Sequence, residues 1–435
     1  MNHYPRYPKY KDSGVEWIEE VPEHWTISRI DHIATTHREN ISPENFIGAK
    51  VFHYSIPVVQ ERGTGAVEDS STVDSNKLVI RCPQVLVSKL NPRKQTVVVA
   101  KGHDAYLTVA STEFVPIVPK PSKVTMEFIH YLMSSEWIRQ YLDSRVESVT
   151  KSHQRVTPDD ILKLKAPVPE LPEQTSITLS LDQETARIDA LIAKKTRFIE
   201  LLKEKRAALI THAVTKGLDL EVKMKDSGVE WIGEVPAHWE AMKFKRIASV
   251  SEGLVDPKDA IYRDMVLLAP NHIESGTGTI LATETAAEQH AESGKYTCKK
   301  GAVIYSKIRP ALAKVAIAPC DCLCSADMYP MDCTDRVIPE WLFFLMLSPP
   351  FTSWAVLESD RVAMPKINRE SLSELQVLVP PKPEQQVMVQ WLNNQLSRVD
   401  RLAQKIQRSI DLLKERRSAL ITAAVTGQID VRRSV

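Results

Sequence analysis

Two sets of residues in this chain combine the side-chain types that touch nucleic acid. Lys89, Asn91, Arg93 and Lys94 surround a proline, and Lys151, His153, Gln154 and Arg155 form a polar run just ahead of a helix start. Lys307, Arg309, Arg361, Lys366, Asn368 and Arg369 stand in similar places later in the chain. Lysine and arginine suit phosphates, while arginine, asparagine and glutamine also suit base edges. Taken one by one, such residues usually form a solvated surface. Their recurrence as a set is what favours contact with double-stranded DNA. Bulk charge does not announce that partner, because the formal net charge is only +1; a basic face requires acid to be concentrated elsewhere.

Other chemistry is weaker. Ser348-Pro349-Pro350-Phe351 matches the polar-Pro-Pro-aromatic signature of amino-methyltransferases. Such enzymes also need a glycine-rich turn after a strand, and the 14 glycines form no such loop upstream. A helix ending in two prolines is the better reading. Pro158-Asp159-Asp160 with Lys163 resembles an acidic-basic nuclease cluster, but it reads more simply as a helix start with Thr157 as N-cap. Cys320, Cys322, Cys324 and Cys333 lack the paired CxxC spacing of a zinc site, and the alternate cysteines are taken to aim at opposite strand faces. No histidine pattern of the HExxH type and no Walker A motif occurs. No catalytic and no metal site is therefore expected.

The elements that must hold these residues are written twice. Lys11 to Trp25 (KDSGVEWIEEVPEHW) and Lys225 to Trp239 (KDSGVEWIGEVPAHW) agree at thirteen of fifteen positions. Leu201 to Thr215 (LLKEKRAALITHAVT) and Leu412 to Thr426 (LLKERRSALITAAVT) agree at twelve of fifteen. Each copy thus has a constant head, a divergent middle (26–171 and 240–382) and a constant tail. The period is too long for a solenoid. It fits two domains of one fold that share a job and differ in target. Within the middles, Ser88-Lys89-Leu90-Asn91-Pro92 faces Ser306-Lys307-Ile308-Arg309-Pro310. Residues 77–87, 96–100, 301–306 and 313–318 read as strands, and 124–135 and 339–347 as buried helices.

The tails predict long helices. Leu181, Ile188, Leu202 and Leu209 fall on a seven-residue grid, with Lys195 as the polar exception, and Leu191 widens the stripe. Leu392, Val399, Ile406, Leu413 and Leu420 repeat the grid. Sustained heptads indicate a coiled-coil seam. Each helix of about 40 residues spans about 60 Å and needs a partner of equal length, so the two are expected to pack antiparallel. Proline clusters (167, 169, 172 and 380, 381, 383) mark their starts, and Gly217 and Gly427 their ends.

With 435 residues, 43% hydrophobic and 26% charged, the chain is sized for several globular domains. The N-terminal stretch lacks the apolar core of a signal peptide, apolar runs fall far short of a membrane span, and six cysteines give no disulfide framework. A reduced, cytoplasmic protein is expected.

The doubled order of head, variable domain, Pro-Glu-Gln and long helix resembles the specificity subunit of Type I restriction-modification enzymes. The resemblance covers essentially the whole chain. It is carried by GVEWIGEVPAHW (228–239), VPPKPEQQ (379–386) and LLKERRSALITAAVTGQID (412–430); the first copy's PVPELPEQ (167–174) lacks one proline of the usual run. The resemblance implies an α+β fold: two similar globular target-recognition domains separated by two long antiparallel coiled-coil helices, in a pseudo-two-fold internal repeat. The expected boundaries are 1–171 and 218–382 for the recognition domains, with 172–217 and 383–435 for the spacer helices and tail. It implies a non-catalytic subunit reading one half of a split, asymmetric DNA target with each domain. It also implies partners: two modification subunits that bind S-adenosylmethionine, and restriction subunits that use ATP and Mg. No cofactor is expected in this chain itself. A self-contained methyltransferase-nuclease and a coiled-coil scaffold joining two protein-binding domains are the alternatives.

Overall fold

The computed structural model of the protein describes residues 4–15, 17–146, 154–229, 231–359 and 365–434. The chain divides into two compact units, one formed by Met1–Lys195 with Arg408–Val435, the other by Thr196–Gln407. Both long helices, Leu171–Lys216 and Lys382–Val425, contribute residues to each unit.

In the first unit, a four-stranded antiparallel sheet has the order Val97–Ala100, Gln84–Ser88, Phe114–Pro119, Ala34–Thr35. A five-stranded sheet joins Asn40–Ile41, Lys77–Val79, Leu107–Ser111, Lys50–Tyr54 and Ala66–Asp69, with one parallel pair between 107–111 and 50–54. In the second unit the four-stranded order Val315–Ile317, Val303–Ser306, Met328–Cys333, Ala248–Val250 is the same pattern. Its smaller sheet of Leu267–Leu268, Cys322–Ser325 and Lys295–Cys298 keeps the parallel pair. The α+β fold is thus built twice. The predicted strand 77–87 is two strands, because Arg81, Cys82 and Pro83 interrupt it and proline cannot donate to a ladder.

Short helices follow each sheet. Met126–Met133 is capped by Thr125, and Glu136–Ser144 by Ser135. Pro339–Leu347 and Pro349–Ser359 are their counterparts. Ser348 is fully buried, donates its hydroxyl to the Leu345 carbonyl at 2.7 Å and accepts from the Phe351 amide at 3.4 Å. Ser135 makes the same bonds to Leu132 and Ile138, at 2.7 and 3.4 Å. The Ser-Pro-Pro-Phe sequence is therefore the second copy's version of one helix cap. Pro158–Leu162 starts on a capping box between Thr157 and Asp160, so Asp160 caps and Asp159 pairs with Lys163 at 2.6 Å.

Within each unit the early part of one long helix packs beside the late part of the other, an antiparallel arrangement. Ile177, Leu181 and Ile188 share the first unit's core with Leu420, Ile421, Ala424 and Val425. Ile210, Ala213 and Val214 share the second unit's core with Met388, Leu392 and Leu396. One ion pair recurs: Asp189 with Arg417 at 3.0 Å, and Asp400 with Arg206 at 2.8 Å. Tail and helix positions that match in sequence thus meet crosswise, the tail of one copy serving the other copy's domain. Leu202, Val399, Ile406 and Leu420 are also buried, and Leu413 and Leu209 are half-buried. Leu191 departs from expectation at 41% exposed. Ile192, four residues past Ile188, packs against the core instead, and Leu191 is turned about 100° away from it.

The Pro-Glu-Gln motifs lock each long helix to its globular domain. Glu173 accepts hydrogen bonds from Trp25 Nε1 at 3.2 Å and from His24 Nε2 at 2.8 Å. Glu384 meets Trp239 at 3.1 Å and His238 at 2.8 Å. The buried Gln174 donates to the carbonyls of Lys123 and Pro169 and accepts from the Thr125 amide. Gln385 does the same with Arg336, Pro380 and Ile338. The constant His-Trp of the head and Glu-Gln of the helix are thus two halves of one clasp. Both helices end at glycines with positive φ, Gly217 at 73° and Gly427 at 76°, a conformation glycine adopts without Cβ strain.

Candidate nucleic-acid interface

The loop after strand Gln84–Ser88 has an unusual backbone. Asn91 and Gln95 flank a short turn, Pro92–Lys94, with φ of 48° and 43°. Arg309 and Ala313 flank Pro310–Leu312 with the same two values. Left-handed φ costs a non-glycine residue roughly 1–2 kcal/mol, and such strain gathers at ligand clamps and switches. Both copies sustain it with the same hydrogen bonds. Ser88 Oγ donates to the Leu90 carbonyl and Ser306 Oγ to the Ile308 carbonyl, each at 3.0 Å.

A second segment pairs with this loop. The Asn91 amide donates to the Gln154 carbonyl at 2.8 Å, and the Val156 amide to the Lys89 carbonyl at 3.0 Å. In the second unit the Arg309 amide donates to Pro365 at 3.1 Å and the Ile367 amide to Lys307 at 2.9 Å. Residues from the two ends of each middle are thereby brought together: Lys89, Asn91, Gln154 and Arg155 in the first unit, and Lys307, Arg309 and Lys366 in the second. Arg93 lies 4.0 Å from Asp143, and Lys94 is exposed at the turn. Lys151, His153 and Arg361 lie outside the described residues.

The acids and rings around these cations were not visible as partners in the sequence. Arg155 donates twice to Glu113, at 3.1 Å each, and Lys89 Nζ lies 3.9 Å from the same carboxylate. Glu113 holds the Arg155 guanidinium above its ordinary pKa. In the second unit, Lys307 Nζ lies over the Tyr329 ring at 5.2 Å. Arg369 stacks at 5.5 Å on both Tyr296 and Tyr329, and donates to Tyr296 Oη at 3.1 Å and the Ser251 carbonyl at 2.9 Å. Arg369 is thus tied into the fold. Asn368 also serves the fold: its Oδ1 accepts from the Ser371 amide at 2.7 Å as a helix N-cap, which leaves its side-chain N–H donors for other contacts. Glu113 and Asp327 hold matching places in the two units, since the Lys89 amide donates to the Glu113 carbonyl at 2.9 Å and the Lys307 amide to the Asp327 carbonyl at 3.0 Å.

The cysteines also differ from expectation. Residues two apart on a strand share a face, and Cys322 and Cys324 lie in one core cluster with Cys298, with Cys320 at its margin. The neighbouring Cys298 and, after it, burial push the Cys322 thiol up. Among the described residues, no group of histidine, cysteine and acid has the arrangement of a metal site, and no helix is long and apolar enough to cross a membrane.

Comparisons with known proteins agree with this architecture. Residues 236–411 match the family described as the Type I restriction modification DNA specificity domain. The chain is 30% identical over 318 residues to the Type I restriction enzyme EcoDI specificity subunit of Escherichia coli, covering 68% of this chain and 71% of that one. It is 23% identical over 284 residues to the Type I restriction enzyme MjaVIII specificity subunit of Methanocaldococcus jannaschii, covering 62% of this chain and 63% of that one. A chain solved in work on assembly and conformational transition of the type I R-M system shares the fold, with a TM-score of 0.67 at 16% identity over 94% of this chain and 99% of that one. On the strength of these matches and the doubled head-and-helix frame, the chain belongs to the specificity subunits of Type I restriction enzymes.

Proposed function

We propose that each unit reads one half of a split, asymmetric DNA target, through the loop at 88–95 in the first and at 306–313 in the second. The observation that carries this reading is the pair of loops themselves, which share a strained backbone and differ in their side chains. A duplicated reader suits a target of two half-sites, as in dimeric DNA-binding proteins, and unlike side chains suit unlike half-sites. The residues proposed to face DNA are Lys89, Asn91, Arg93, Lys94, Gln154 and Arg155 in the first unit. In the second they are Lys307, Arg309 and Lys366, with Arg369 setting the rings beside them.

On this reading the chain binds and recruits but carries out no chemistry. Adenine methylation with S-adenosylmethionine belongs to two modification subunits, and ATP- and Mg-dependent translocation and cleavage to restriction subunits. The complex works in the cytoplasm, where the DNA is. The test is to exchange residues 26–171 for the matching segment of a relative and sequence the methylated sites in cells that make the modification partner. One half of the methylated sequence should change. A change in both halves, or in neither, overturns the division of labour. Binding of S-adenosylmethionine by the isolated chain in calorimetry would instead favour a methyltransferase.

A further inference from the structure

The two clasps are alike in bonding but not in cover. In the first unit Tyr7 is buried against the clasp, its ring centroid 5.7 Å from Trp25 and 5.8 Å from His24. The Arg432 guanidinium lies over that ring at 5.0 Å and reaches Glu173 Oε1 at 3.1 Å. An aromatic ring and a cation together seal the Glu173 carboxylate, whose side chain is 8% exposed. In the second unit the head-repeat alignment puts Glu221 where the first has Tyr7. That glutamate is exposed and supplies no ring to cover the clasp. The space beside the second clasp is a cavity of about 390 Å³. It is lined by Leu218, Val222, Pro236, Val387 and Met388, with Glu384 and His238 at its edge. Glu384 is 28% exposed, and among the described residues His238 is its only ion-pair partner. Val387, in place of Ser176, stands at the cavity 58% exposed.

We propose that this cavity is a docking pocket for a segment of a partner protein that presents a tyrosine together with an arginine or lysine. The first unit fills the matching place with its own residues: Tyr7 against Trp25 and His24, Arg432 of the C-terminal tail over the ring, and Glu173 receiving that cation. The second unit keeps the tryptophan, histidine and carboxylate, lacks the ring and the cation, and presents apolar wall in their place. The cavity lies within the volume range of ligand pockets, roughly 300–1,000 Å³. A cation brought over a desolvated ring and beside a carboxylate is favoured on both counts. Since the clasp is intact in both units, the pocket's role is separable from folding.

The probe is the acetylated and amidated peptide Pro-Arg-Tyr-Pro-Lys-Tyr, the sequence of residues 5–10, titrated against the full-length chain by calorimetry. Saturable one-to-one binding is expected, at least tenfold weaker when both tyrosines are alanine. Two variants outside the clasp test the place: Val387→Lys puts a repelling cation at the mouth, and Glu221→Tyr offers a ring from within. Each should weaken the peptide at least tenfold while thermal melting shows a folded protein; if one variant fails to fold, the other carries the test. Absence of saturable binding at millimolar peptide, or equal affinity in the folded variants, overturns the proposal. Self-association of the wild-type chain that Val387→Lys abolishes in sedimentation would assign the pocket to a second copy, and also overturns it.

Discussion

In the loop at 88–95 one acid, Glu113, gathers Arg155 and Lys89, whereas in the loop at 306–313 Lys307 lies over a tyrosine ring and Arg369 stacks on two. The backbones under these arrangements are the same to the degree in φ at both left-handed positions flanking Pro92 and both flanking Pro310. The difference teaches where variation is allowed. The frame is fixed by main-chain pairing and serine caps that do not depend on which cation follows. Charge, reach and donor pattern are set by side chains that the frame ignores. In one loop a carboxylate holds the cation from one side, and the Arg155 side chain stays half-exposed. In the other, ring faces position the cations.

The comparison can be broken most severely at the cores. Leu181 and Leu392 are both almost fully buried, in separate clusters. Leu181→Asp and Leu392→Asp should each cost about 4 kcal/mol or more, by leaving a cavity and an unpaired charge. Hydrogen exchange should show amides of the first unit exposed by Leu181→Asp and amides of the second by Leu392→Asp. Uniform loss across the chain in both variants would show that the two units do not open separately.

A smaller effect separates the clasps. Glu173→Gln removes a buried carboxylate that serves three donors, and should cost about 2–3 kcal/mol in chemical denaturation. Glu384→Gln touches two donors at a more exposed site, and should cost about 1 kcal/mol. Equal losses would mean that Arg432 and Tyr7 add nothing to the first clasp.

At the loops, Arg155→Ala and Lys307→Ala should each weaken DNA binding by about 1–3 kcal/mol if they meet base edges. Methylome sequencing should then show relaxed choice in one half of the target only, a different half for each variant. Relaxation of the same half by both would contradict the pairing of units with half-sites.

The mildest difference is in pH response. His53 is buried beside Glu68, with Nδ1 2.9 Å from its carboxylate and Nε2 buried without a hydrogen-bond partner among the described residues. Desolvation lowers its pKa despite Glu68. The folded protein therefore refuses a proton that the unfolded chain accepts near pH 6.5. His53 contributes its stability above that pH and loses it as pH falls below, by up to about 1.4 kcal/mol per unit. The matching strand position in the second unit is Leu267, which does not titrate. His53→Gln should flatten the decline in denaturation midpoint between pH 6.5 and 5; an unchanged slope would place the sensitivity elsewhere.

Much of the frame was legible because its signals are local. Prolines and glycines punctuate the long helices, and the observed limits, Leu171–Lys216 and Lys382–Val425, fall beside them. Thr157 and Pro158 start a helix by short-range capping. What stayed hidden depends on partners distant in sequence. Glu173 finds His24 149 positions away, and Arg155 finds Glu113 across 42. Leu191 misled because a seven-residue grid does not say which flank of the stripe turns inward. The capping role of Asn368 was not legible because asparagine suits helix caps and base edges alike.

The crosswise use of the tails sets an order of assembly during synthesis. The first unit holds residues 1–195 but closes with 408–435, whereas the second is complete within 196–407. As the chain leaves the ribosome, the unit that begins first must wait for the last segment, while the later one already has all its parts. At about 5–20 residues per second, the interval from residue 195 to the closing helix is on the order of ten to forty seconds. Until then the apolar face around Leu181 and Ile188 stands open. A message cut short near codon 407 would yield a chain whose earlier-made domain, not its later one, fails.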